Sequence, residues 1–118
     1  MSERDLIDEL LLKASRVGIR LSRNNSGVAY FENGSTVAYG CFRPGGADLL
    51  GWTPHVITEA DVGRRIAVFT AVELKTAKQK PTDEQQRFLR AVERAGGIAE
   101  WGRDANALVE RLIKWPPD

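Results

Sequence analysis

Arg65-Ile66-Ala67-Val68-Phe69-Thr70-Ala71-Val72-Glu73-Leu74-Lys75 is the longest strand candidate in the chain. Its Ile66-Ala67-Val68-Phe69 run is apolar on both faces of the alternation, the pattern of a strand covered on both sides at the centre of a sheet. Side chains alternate along a strand, so Glu73 and Lys75 share one face and Leu74 points to the other. A carboxylate and an ammonium at the end of a buried strand are costly unless they are paired or put to use. Taken alone, Glu73-x-Lys75 reads best as an ion pair that fades into solvent where the strand leaves the core.

The pattern on either side completes an α/β chain. Downstream, Thr82 is a helix cap, Asp83 and Glu84 suit the first turn, and Phe88, Leu89, Val92 and Ala95 form an apolar face that ends at Gly96-Gly97. Residues 98–101 predict a short strand, and Asp104 opens a last helix that runs through Ile113 to the Pro116-Pro117 stop. Upstream, residues 58–63 predict one helical turn capped by Thr58. Residues 48–52 predict a strand entered from the Pro44-Gly45-Gly46 loop. Residues 19–22, 28–32 and 36–41 predict three more strands, the last two joined at Asn33-Gly34 by a two-residue hairpin turn. Residues 2–17 predict a helix, with Leu6, Ile7, Leu10, Leu11, Ala14 and Val17 at helical spacing and Gly18 as its stop. This order predicts a mixed central β-sheet flanked by helices, in a single domain over residues 1–118.

Composition sets the outer limits. The chain has 118 residues, 42% of them apolar and 28% charged, with a net charge of +1. No apolar run approaches the roughly 20 residues of a membrane span, and residues 1–12 lack the layout of a signal peptide. The single cysteine, Cys41, excludes an internal disulfide and fits a reducing compartment, so a cytoplasmic protein is expected. One cysteine and one histidine, His55, argue against a zinc site. The charge is unevenly spread: acids crowd the first nine residues, while Arg64, Arg65, Lys75, Lys78, Lys80, Arg87, Arg90 and Arg94 crowd the later middle. Most of these are solvated surface charges, and a local basic track is the sharper reading.

Asp48 changes the weight of Glu73-x-Lys75. It stands after the glycine loop in Gly45-Gly46-Ala47-Asp48-Leu49-Leu50-Gly51, where a plain turn-capping aspartate is the ordinary alternative. If the two strands are neighbours, Asp48 and Glu73 can converge on one divalent ion. Two carboxylates, a backbone carbonyl and waters form the hard oxygen shell that Mg2+ prefers. Such an ion binds a phosphate oxygen and lowers the pKa of a bound water, while Lys75 can position that water or stabilise developing charge.

With Asp48 and Glu73-Leu74-Lys75 in this order, the chain resembles the PD-(D/E)xK nuclease superfamily, and within it the VRR-Nuc (virus-type replication-repair nuclease) branch. The matching pieces are Arg23-Asn24-Asn25-Ser26-Gly27, then Gly45-Gly46-Ala47-Asp48-Leu49-Leu50-Gly51-Trp52. Val72-Glu73-Leu74-Lys75-Thr76 follows, then Thr82 and Gln85-x-x-Phe88, running on to Gly96-Gly97. The resemblance covers nearly the whole chain and implies a restriction-endonuclease-like core. It also implies a DNA endonuclease dependent on Mg2+ or Mn2+, with Glu3, Asp48, Glu73 and the Leu74 backbone carbonyl as metal ligands. Lys75 and Gln85 complete the catalytic set it implies.

The first helix offers its own indication of which acid faces inward. On a wheel of about 100° per residue from Leu6, the apolar stripe centres at roughly 60°, close to Glu3. Glu9 lies on the flank and is the alternative. The family's glutamine shortly after this acid is replaced here by Ile7. Arg23, Asn24 and Asn25 are expected phosphate or sugar contacts, and Lys78 and Lys80 electrostatic anchors for a duplex. Small members of this type resemble phage or bacterial enzymes that act as homodimers on branched DNA, including four-way junctions, in a bacterial or infected host cell. Cleavage of flaps or simple duplexes, an inactive DNA-binding module, and a nuclease subunit targeted by a partner protein are the alternatives.

Overall fold

Ser2 and Asp5 start the first helix, α1 (Glu3–Arg16), by reciprocal capping: the Asp5 N–H donates to Ser2 Oγ and the Ser2 N–H to Asp5 Oδ2, both at 3.1 Å. The Ser2 backbone N–H, aided by its hydroxyl, holds the Asp5 carboxyl below its ordinary titration range. The computed structural model describes residues 2–117, and the chain divides into two compact units, Met1–His55 and Val56–Asp118. No helix among the described residues is long and apolar enough to cross a membrane.

In the first unit, α1 turns Ile7, Leu11 and Ala14 to its covered side, one helical line of which Ala14 is buried. Gly18, at φ 82°, takes the left-handed conformation that ends the helix. The chain then enters β1 (Arg20–Arg23), which packs under α1 and pairs antiparallel with β4 (Leu49–Trp52), Arg20 facing Trp52 and Arg23 facing Leu49. The Arg20 guanidinium lies 5.2 Å from the Trp52 ring centroid. Gly51 is required where these strands cross, since a Cβ there would stand 1.8 Å from the Arg20 carbonyl oxygen.

Between them, β2 (Gly27–Tyr30) and β3 (Thr36–Tyr39) form an antiparallel hairpin with Tyr30 facing Thr36. Its turn differs from the two-residue form expected at Asn33-Gly34. The Gly34 N–H donates to the Phe31 carbonyl at 3.0 Å and the Phe31 N–H to the Ser35 carbonyl at 2.9 Å, so Glu32, Asn33 and Gly34 make a three-residue loop. Gly34 alone has positive φ there, at 86°. The Asn33 carboxamide oxygen accepts from the Ser35 N–H and hydroxyl, which holds this turn against the Asn-Gly alternative.

In the second unit, a single 3-10 turn (Glu59–Asp61) capped by Thr58 leads toward β5 (Thr70–Leu74). Next come α2 (Asp83–Arg94), β6 (Ile98–Gly102) and α3 (Ala105–Ile113), the last capped by Asp104. β5 and β6 run parallel, Thr70 facing Ile98 and Leu74 facing Gly102, with α2 as the crossover. α2 packs on both strands and α3 on β6, around the buried Val92 and Leu108. Gly97 lets α2 approach the strand, because a Cβ there would come within 2.8 Å of Val92 Cγ1 and the Phe69 carbonyl oxygen.

The mixed α/β class expected from the sequence holds, with three helices and both parallel and antiparallel pairing. Among the described residues, the expected central sheet is realised as three two-stranded ladders. The strand expected over residues 65–75 is also shorter. Pairing begins where the Ile98 N–H donates to the Phe69 carbonyl at 2.8 Å, just after the Gly96 turn. Upstream of Phe69, β6 offers no residue to pair with, and Ile66 is exposed.

Candidate active site

β5 inverts the usual rule for a strand face. Lys75 and Glu73 side chains are only 15% and 30% exposed, whereas Leu74 between them is 66% exposed. Lys75 Nζ lies 3.3 Å from Glu73 Oε1. The same-face placement expected from strand alternation is therefore present, and the pair is covered instead of fading into solvent. The Lys75 N–H donates to the Gly102 carbonyl at 3.0 Å, which extends the ladder one residue beyond β5 and fixes the backbone beneath the pair.

Gln85 approaches the same place from α2. Its backbone N–H donates to Thr82 Oγ1 at 3.2 Å, and its Oε1 accepts from the Thr82 N–H at 2.9 Å. A backbone N–H can be met only by the oxygen of a carboxamide, so this contact fixes which end of Gln85 is the free donor. Gln85 and Glu73 line one cavity of about 300 Å3, together with Glu84, Ala71, Phe88 and Leu89. Glu84, which the sequence marked only as a first-turn acid, thus joins the site's lining. Lys78 and Lys80 follow on an exposed turn that Arg103 Nη2 pins by donating to the Gln79 carbonyl at 2.6 Å. Arg87, Arg90 and Arg94 are exposed along α2.

The remaining expected residues belong to the first unit. Asp48 is exposed, immediately before β4, and its carbonyl accepts from the Asn24 N–H at 2.8 Å. Arg23 is ion-paired with Asp8 of α1, and Asn25 is exposed beside it. Asn24 is different in kind: its carboxamide is engaged with the backbone at Cys41 and Ala47. Glu3 is exposed in the first turn of α1 and extends the covered line of Ile7, Leu11 and Ala14 by one turn. Glu9 is ion-paired with Lys13 at 2.6 Å. Within neither unit do the described residues gather three or more His, Cys, Asp or Glu side chains as a metal cluster.

A family model described as the VRR-NUC domain matches residues 12–103. The chain belongs to the VRR-NUC domain family. Asp48, Glu73, Lys75 and Gln85 all fall inside the match, and Glu3 and Glu9 precede it. No curated protein and no solved structure matches the chain. Membership of the VRR-NUC family gives the chain a PD-(D/E)xK-type nuclease fold and makes it a nuclease domain, a hydrolase acting on DNA. Nucleases of this family generally use divalent metal ions. The donor chemistry present fits that use, since Asp48 in the first unit and Glu73 in the second offer hard carboxylate oxygens.

Proposed function

We propose that this VRR-NUC domain is a metal-dependent, structure-selective DNA endonuclease that hydrolyses phosphodiester bonds in branched DNA such as four-way junctions. The observation that carries the reading is the Glu73–Lys75 pair, held on the covered face of β5 beside a cavity that Gln85 shares. In this reading the enzyme uses Mg2+ or Mn2+, for which Asp48 and Glu3 would supply carboxylates from the first unit and Glu73 its carboxylate, with the Leu74 carbonyl, from the second. The chemistry that such an ion supplies is a lowered pKa for bound water and a counter-charge for the phosphate. Lys75 holds its ammonium toward the reacting phosphate, where it positions the attacking water and stabilises the charge that develops. Gln85, with its oxygen held by Thr82, donates its free N–H groups to a phosphate oxygen or a bound water. Arg23, Asn25, Lys78 and Lys80 hold the DNA backbone at sites that need no base sequence.

Paired cuts in opposite strands require two such centres, and one chain supplies one, so the enzyme works as a homodimer. Its place of work is the cytoplasm of a bacterium or of an infected host cell. Cleavage of labelled four-way junction, flap and linear duplex with Mg2+ or Mn2+, beside an Asp48→Ala protein, tests the proposal. Metal-dependent cuts strongest on the junction and lost in the variant are expected. Binding without cuts under every metal would overturn the enzyme reading and leave a DNA-binding module or a subunit that needs a targeting protein.

A further inference from the structure

The loop between β3 and β4 delivers Asp48, and one side chain fastens it. Asn24, half-buried at the end of β1, accepts the Cys41 N–H on Oδ1 at 2.8 Å. Its Nδ2 donates to the Cys41 carbonyl at 3.1 Å and to the Ala47 carbonyl at 3.0 Å. Its own N–H reaches the Asp48 carbonyl at 2.8 Å. A carboxamide has two N–H donors, and both are engaged here with the two ends of the loop. Gly46 gives an independent sign of how closely the loop is drawn in. A Cβ at Gly46 would stand 2.2 Å from the Cys41 carbonyl oxygen and 3.1 Å from Asn24 Nδ2.

We propose that Asn24 is a positioning residue for Asp48, which it holds through both ends of the 41–47 loop, and that it does not contact DNA. The inference rests on Asp48 being a metal-binding acid of the nuclease. An Asn24 that touched phosphate would need a free donor, and the loop occupies both. An Asn24 that holds Asp48 acts on the metal: loosening it lets the carboxylate sample positions in which it binds the ion poorly.

Asn24→Ala and Gly46→Ala proteins test this, the second by crowding the clamp while leaving the Asn24 residue itself unaltered. Three readouts are compared with the unaltered protein: amide hydrogen exchange over residues 41–48, DNA binding in EDTA, and the Mn2+ concentration giving half-maximal cleavage. Both variants are expected to exchange faster over this loop and to need about 10- to 100-fold more Mn2+, the range found when a ligand-orienting neighbour is removed. DNA binding in EDTA should stay at the level of the unaltered protein. Loss of that binding with an unchanged Mn2+ requirement would make Asn24 a DNA contact and overturn the inference. Unchanged exchange and an unchanged Mn2+ requirement would overturn it too. If Asn24→Ala does not fold, Gly46→Ala carries the same readouts. An Asp48→Ala control separates the two layers. Full cleavage by that protein removes the acid reading itself, whereas an inactive Asp48→Ala beside a normal Asn24→Ala removes only the positioning role.

Discussion

Glu73 and Lys75 share a face because a strand repeats every second residue, and that much was legible from four letters of sequence. Their burial was not legible, since it depends on what lies against the strand. The covered pair beside an exposed Leu74 is the observation on which the proposed site rests. Asn24 marks the opposite limit. Its side-chain partners lie 17 and 23 residues away, and no local pattern announces contacts of that range. The turn sequence alone gave the expectation of a phosphate contact, and the positioning role proposed above draws on these long-range bonds instead. Lys75→Met keeps the aliphatic stem and removes the charge. The single-turnover cleavage rate should fall by about 100- to 1,000-fold, the effect of losing one stabilising donor at a reacting centre. An unchanged rate in a protein with a normal unfolding curve would remove Lys75 from the chemistry.

At the scale of elements, the helices were read well because their signals are local. Thr82 and Asp104 cap α2 and α3 and Gly18 stops α1, as their local signals predict, while Ser2, expected inside the first helix, is its cap. Strand limits were read less well, because a strand ends where its partner does. Residues 65–69 have every strand preference yet stay outside β5, for β6 begins only after the Gly96 turn. The cap of α2 also yields a separation of roles. Gln85→Glu preserves the capping box, because a carboxylate accepts the Thr82 N–H equally well, but it cannot donate to a phosphate. Unfolding free energy should stay within about 0.5 kcal/mol of the parent while cleavage drops about 100-fold. Equal loss of stability and cleavage would instead make Gln85 a structural cap alone. Gln85→Ala, which loses both groups, should lower both.

Over the whole molecule, net charge is nearly silent at +1, and its distribution carries the information. Lys78 and Lys80 on their turn, and Arg87, Arg90 and Arg94 along α2, are exposed basic residues of the second unit. Removing a lysine that neutralises one phosphate should flatten the slope of log affinity against log salt by about 0.9. A Lys78→Ala/Lys80→Ala protein is therefore expected to bind duplex more weakly, with a slope shallower by about 1.8 if both lysines neutralise phosphates. An unchanged slope would take both lysines off the DNA. The order of elements and the α/β class were legible from periodicity and caps, while the pairing of β1 with β4 across an intervening hairpin was not. Such pairing is decided by packing between distant segments, which no window of sequence contains. In the proposed function, phosphodiester bonds are cut at the covered Glu73–Lys75 face of β5. Glu73→Gln probes that face with the least disturbance, because it keeps the shape and removes the charge. Cleavage of a labelled four-way junction should require Mg2+ or Mn2+ in the parent and fall to background in the variant, with DNA binding retained. Cleavage by the Glu73→Gln protein at the parent's rate would place the chemistry elsewhere.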